Sequence, residues 1–196
     1  MTVVSLERTA LKEWAVLADV MARGECIAMV RKGGIREQRA GFAVRHERFL
    51  LYPTYFHEKP NELAPRLIPS LAASHAARPA QGIVRLAYVA DVAAVWWVTD
   101  LDRLHAIEPE VGLAWPAIES RFNYRARPGV HVVAVRVGRL AHAVEVPDAP
   151  RYAGCVSWVE LDADVDVANA TPVLPSATFD RRLATLTSAL GPADNS

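Results

Sequence analysis

The chain predicts an α+β fold in which a largely antiparallel sheet, with barrel-like closure allowed, is flanked by short helices. Three observations carry that expectation. Runs rich in Val, Trp and Tyr at Ile83–Ala90, Val92–Val98 and Val130–Val137 have the composition of buried, pleated strands. The segments with helical periodicity are short or interrupted by proline. No regular strand–helix alternation and no internal repeat runs along the chain, which argues against a doubly wound parallel sheet.

Each element follows from its local pattern. From Ser5 to Arg23, Leu6, Ala10, Trp14, Leu17, Ala18 and Met21 recur at three- and four-residue steps, with Ser5 as a cap and Gly24 as a left-handed terminator, so a helix is expected. Cys26 to Val30 and Phe42 to Tyr52 read as strands of an extended hairpin, joined by a loop holding Gly33, Gly34 and Gly41. Asn61 opens a helix to about Ala76 that Pro65 and Pro69 interrupt. The two segments from Ile83 to Val98 form one bent strand or two short ones. Thr99 and Asp102 resemble a capping box for a short helix that Pro109 ends, and Trp115 to Phe122 is another, with Pro116 in its first turn. Val130 to Val137 is apolar on both faces, as a central strand must be. Arg136 interrupts that run, so a buried guanidinium there needs a carboxylate, for which Glu119 is the internal candidate. Val156 to Leu161 adds a strand, and Phe179 to Leu190 a helix capped by Ser176.

At 196 residues, 52% hydrophobic and 22% charged, the chain has enough material for a full core. Residues 1–162 are expected to form a single domain, and residues 163–196 a connector, a C-terminal helix and a disordered tail, dispensable for the core. The longest uncharged apolar stretch, Val92 to Thr99, falls far short of the roughly 18 residues a membrane span requires, and charged residues near the start argue against a signal peptide. A cytoplasmic protein without a membrane partner is the expectation. Cys26 and Cys155 sit in apolar contexts without a CxxC partner, favouring reduced, buried thiols over a zinc site.

Charge is distributed unevenly. Lys and Arg number 22, as do Asp and Glu, so the net charge is zero. Residues 31–48 nevertheless hold six Arg/Lys against two Glu, a local charge of +4. A neutral chain excludes broad duplex binding but leaves room for a small, specific anion site. Gly33 and Gly34 free backbone N–H groups to turn toward a phosphate, Lys32 adds a point charge, and Arg36 and Arg39 add forked donors. The spacing matches neither a Walker loop nor GxGxxG, and no cofactor motif is present. Tyr52 and Tyr55 lie at a strand end bent by Pro53, where their rings can face a pocket, and His57 beside them is a candidate general base. Trp96, Trp97, Trp115 and Trp158 read as core rather than as stacking surfaces. Asp162, Asp164 and Asp166 imitate a calcium loop, but Val167 stands where its glycine belongs.

Several segments together resemble a bacterial family catalogued as domain of unknown function 1802. They are Leu11-Lys12-Glu13-Trp14-Ala15, Arg31-Lys32-Gly33-Gly34-Ile35-Arg36-Glu37, Phe49 to Tyr55 with His57, Arg121-Phe122, Arg136-Val137, Gly154-Cys155 and Ser157-Trp158. The resemblance spans about residues 7 to 161 and implies family membership without an activity. Gly34 to Arg39 is also similar to the basic glycine loop of PUA-like domains, small barrels that bind RNA or modified bases, which is an analogy of fold. Three functions fit the residues. The first is binding of a phosphate-bearing ligand, a nucleotide, or short single-stranded DNA or RNA through the basic loop. The second is an enzyme acting on a phosphodiester or nucleotide, with His57 as base. The third is a module that docks an acidic protein partner.

Overall fold

The computed structural model describes residues 5–32, 46–124, 127–154 and 156–194. The first element is β1 (Leu6–Trp14), followed without a loop by α1 (Ala15–Ala22). A single helix was expected here, and the reason for the difference lies in the spacing. Leu6, Ala10 and Trp14 are four apart, a step that is nearly one helical turn and also twice the strand period of two. Tertiary pairing decides between them: β1 lies between two other strands, with Ala10 and Leu11 both fully buried on opposite faces. The Glu58 carboxylate accepts a hydrogen bond from Val16 N at 3.1 Å, capping α1 from a distant segment. Gly24, at φ +71°, supplies the left-handed terminator.

Next come β2 (Ala28–Arg31) and β3 (Arg48–Thr54). They do not form the expected hairpin, because β2 pairs with a later strand and β3 runs parallel to β1. Residues 42–45 of the expected second strand, and Cys155, lie outside the described residues. Two short 3-10 turns, Pro60–Glu62 and Pro65–Leu67, precede α2 (Ile68–Ala76), with Pro69 in its first turn where a missing N–H costs nothing. The apolar run beyond is one strand, β4 (Ile83–Val98), bent by register shifts between Leu86 and Tyr88 and between Val92 and Ala94. Asp100, rather than Thr99, caps α3 (Leu101–Ala106), accepting from Asp102 N at 2.9 Å. Then follow α4 (Trp115–Asn123), β5 (Val130–Pro147), β6 (Trp158–Asp166), β7 (Thr171–Pro172) and α5 (Ser176–Leu190).

The sheet runs β2-β5-β4-β3-β1-β6, with β7 paired to β5, and every ladder is antiparallel except β1–β3. Among the described residues this path is open and the sheet is not closed into a barrel. Arg31 of β2 nevertheless reaches β1 near the far edge, bonding Glu13 Oε2 at 3.1 Å and Lys12 O at 3.2 Å. The two ends of a curled sheet are thus joined by a side chain. One face, with Leu11, Phe49, Leu51 and Ala90, packs under the helices. The other, with Ala10, Leu50, Tyr52, Leu86 and Leu161, forms a second core.

The boundary expected after residue 162 falls inside β6, and the helix beyond it is built into the main core. Phe179, Leu186 and Leu190 of α5 are buried. Arg136 pairs with Asp180 of α5 at 2.8 Å and lies 4.1 Å from the Phe179 ring, so its carboxylate is not Glu119, and about a third of its side chain stays exposed. Arg182 meets Glu110 at 2.5 Å and donates to the Gly24 and Glu25 carbonyls. Up to Asp194 the terminus is docked: Asp194 N donates to Val95 O at 2.8 Å and its carboxylate accepts from Trp97 N at 2.6 Å. No helix among the described residues is long and apolar enough to cross a membrane.

Deleting residues 163–196 should therefore leave an insoluble chain or one without a cooperative melt. Phe179→Ala should cost about 3–5 kcal/mol, lowering Tm by roughly 6–20 °C. A truncated chain that melts cooperatively at the full-length temperature would make this segment a separable appendage.

Candidate functional site

Because β1 and β3 are parallel, their C-terminal ends lie side by side, with Lys12 opposite Tyr52, Glu13 opposite Pro53 and Trp14 opposite Thr54. These residues line one wall of a cavity of about 720 Å³, a size that accommodates a small organic ligand. Arg31 and Lys32 enter from the end of β2, Ser120, Arg121 and Tyr124 from α4, and Gly82, Ile83 and Val84 from the start of β4. The segment between β5 and β6 supplies Asp148, Ala149, Pro150, Tyr152 and Gly154. The turn after β3 adds Tyr55, Phe56 and His57. Among the described residues five cations (Lys12, Arg31, Lys32, Arg78, Arg121) and two carboxylates, Glu13 and Asp148, line the cavity.

The cations differ in how much of their hydrogen bonding is already used. Lys32 Nζ donates to three backbone carbonyls, Phe122 at 3.0 Å, Arg127 at 2.6 Å and Gly129 at 2.5 Å, which ties β2 to the loop after α4. Lys12 donates to the carbonyls of Tyr152 and Gly154. Glu13, only 6% exposed, has both oxygens engaged: Oε1 accepts from Trp14 N at 2.9 Å and Oε2 meets Arg31. Arg121 is different. Among the described residues its guanidinium gives one hydrogen bond, to Val30 O at 3.0 Å, and lies 5.7 Å from the Trp14 ring. Burial pushes its pKa down, the neighbouring Glu13 opposes that and Arg31 adds to it. It stays charged nonetheless, so the cavity holds a partly buried cation with donors left over among the described residues.

Tyr52 is buried, and its hydroxyl donates to Asp148 Oδ1 at 2.6 Å. Burial, then that carboxylate, raises its pKa, which keeps the phenol a donor. Tyr55 packs edge-on against His75 at 5.8 Å under the Arg78 guanidinium at 4.8 Å, and burial, followed by Asp19 and Glu58, raises its pKa. Beneath this cluster the buried Glu58 carboxylate holds His75 Nε2 at 2.6 Å as well as the start of α1. His57 occupies the left-handed region at φ +62°, a conformation that His adopts more readily than most residues. Among the described residues its imidazole meets only the Phe56 ring, at 5.1 Å. Two aromatic residues at the rim are solvent-facing, Phe56 at 77% and Tyr124 at 48% exposure.

Of the site residues expected from sequence, Lys32, Tyr52, Tyr55 and His57 all line this cavity. Gly33, Gly34, Arg36 and Arg39 lie outside the described residues. Lys12, Glu13 and Trp14 were missed because their segment read as a helix. Arg121 was not among the expected site residues. Asp148 gave no signal, since Pro-Asp-Ala-Pro reads simply as a turn. Trp96 is buried as expected, whereas Trp14, a fifth tryptophan, reaches the cavity. Among the described residues no three His, Cys, Asp or Glu side chains gather as a metal site.

The profile of the DUF1802 family, a domain of unknown function, matches residues 10–185, so the chain belongs to that family. The match extends into α5, beyond the segments that carried the resemblance in the sequence. No curated protein matches the chain. Among solved structures, a crystal structure of ASCH from Zymomonas mobilis aligns with a TM-score of 0.44 at 11% identity, covering 91% of this chain and 94% of that one. A serine-to-alanine mutant of ASCH from the same organism aligns with a TM-score of 0.42 at 12% identity, covering 94% and 99%. Most of the segments that carry the family resemblance, from Lys12-Glu13-Trp14 through Arg121 to Gly154 and Ser157, also line the cavity.

Removing the carboxylate beside Arg31 and Arg121 should be costly. Glu13→Ala should destabilise the fold by about 3–5 kcal/mol, because it strips a buried pair of one partner. The denaturant midpoint should fall with an unchanged slope; a wild-type midpoint would mean that the pair is not a structural tie.

Proposed function

We propose that this member of the DUF1802 family binds a phosphate-bearing nucleotide unit, free or within a short single strand of RNA or DNA. In this reading the anionic group meets Arg121 and the planar base lies among Trp14, Tyr52, Tyr55 and Tyr152. The observation that carries it is the Arg121 guanidinium, partly withdrawn from water yet engaged, among the described residues, in one hydrogen bond to protein. A buried cation is stabilised by a partner of opposite charge, and a ligand anion supplies what the protein has left open. Aromatic walls add stacking that every base accepts. The volume matches one nucleotide unit rather than a duplex groove.

Net neutrality of the chain fits a site of this kind, since the cations are concentrated where the ligand enters. The basic segment that continues from Lys32, with Gly33, Gly34, Arg36 and Arg39, extends the same reading along the strand's phosphates. The enzymatic alternative rests on His57. A general base is normally oriented by a third group, and among the described residues the His57 ring has none beyond Phe56. Binding is therefore the reading we favour over hydrolysis, and a concave cavity of about 720 Å³ favours a small ligand over an acidic protein surface.

Titrating nucleoside monophosphates and a short single-stranded RNA against wild type and Arg121→Met tests this directly. Loss of charge-assisted hydrogen bonds worth about 1.5–3 kcal/mol should weaken binding by about 10- to 100-fold and flatten the salt dependence. Arg36→Ala with Arg39→Ala should weaken the RNA more than the mononucleotides. Equal affinity of wild type and Arg121→Met would remove the basis of the proposal. His57→Ala should leave affinity nearly intact; loss of about 100-fold or more in a nucleotide-consuming rate would move His57 into the role of base.

A further inference from the structure

Asp148 is the exposed carboxylate in a cavity otherwise dominated by cations. It follows the end of β5, and its backbone N–H is held by Gly82 O at 2.8 Å, so its position is fixed from two strands. Its Oδ1 accepts from the Tyr52 hydroxyl at 2.6 Å, and that is its one side-chain hydrogen bond among the described residues. Glu13, the other carboxylate, has both oxygens engaged. An ionised carboxylate is an acceptor only, with about four lone-pair sites, so Oδ2 remains ready to accept. Because Tyr52 is buried and donates to Oδ1, the carboxylate is held in one rotamer rather than free to swing toward a neighbouring cation.

We infer that Asp148 makes this pocket select ligands that present an exocyclic amine or paired N–H edge, with Tyr52 as the positioning residue. The inference rests on the nucleotide reading above and deepens it by naming which bases fit. Guanine offers two adjacent N–H donors, and cytosine and adenine each offer an amine. Uracil has carbonyl oxygens on both sides of its N3–H, and these repel a carboxylate, while hypoxanthine carries a C–H where guanine has its 2-amino group and so offers a single donor. A site built to hydrogen-bond a donor rejects the analogue that lacks it, because the polar group is then left unpaired in the complex.

The experiment compares GMP with IMP, which lacks the 2-amino group, and CMP with UMP, by calorimetric titration. Wild type should favour the amino-bearing member of at least one pair by about tenfold or more. Asp148→Asn, at an exposed position and so expected to fold normally, should bring that ratio close to one. Tyr52→Phe, which keeps the ring but releases the Asp148 carboxylate, should lower the ratio by weakening GMP or CMP more than IMP or UMP, whereas a purely structural role would weaken all four alike. Ratios near one in wild type for both pairs, or a ratio unaffected by Asp148→Asn, would overturn the inference while leaving nucleotide binding in place. Failure of all four nucleotides to bind would overturn both.

Discussion

The parallel pairing of β1 with β3 is the constraint on which the cavity depends. In an antiparallel sheet, neighbouring strands end on opposite edges, and Glu13 and Pro53 would be separated by the length of a strand. The one parallel ladder places the carboxyl ends of both strands together, and the chain must then leave in the same direction twice, into α1 and into the turn at Tyr55–Glu58. Those two exits are tied to each other by Glu58, whose buried carboxylate holds both Val16 N and His75. Crevices at carboxyl strand ends are a recurring place for ligands in parallel sheets, and here a single parallel pair suffices to create one.

A second consequence concerns charge. Curling of the sheet brings β2 to β1, and Arg31 spans the gap to Glu13. Once that pair forms, Glu13 is committed to Arg31, while packing of α4, Trp14 and β2 around the Arg121 guanidinium partly withdraws it from water. The protein thus carries a locally unbalanced cation inside a net-neutral chain. Such an arrangement costs stability unless something compensates it, and under the proposed function a bound anion would do so.

Much of this was legible in the residues. Val130–Val137 announced a central strand through two apolar faces, and Pro53 among aromatic residues marked a strand end that bends toward a pocket. Local charge pointed, through Lys32, to one wall of the cavity. What the sequence hid has identifiable causes. A four-residue apolar spacing serves helix and strand alike, so Lys12, Glu13 and Trp14 were assigned to the wrong surface. The meaning of Arg121 depends on how few partners it has, and that is a property of packing across α4, β2 and β1. Asp148 owes its place to a cross-strand bond with Tyr52, 96 residues away, which no local pattern encodes. The C-terminal segment read as a polar connector because its anchors, Arg136, Glu110 and Trp97, are equally remote in sequence.

The most direct test of the central claim is the NMR signal of the Arg121 guanidinium, assigned by its loss in Arg121→Met, during titration with GMP. The account predicts a shift of its N–H resonances and slowed exchange that saturate with the same dissociation constant as calorimetry. Unchanged Arg121 resonances at a nucleotide concentration that saturates the protein would contradict it.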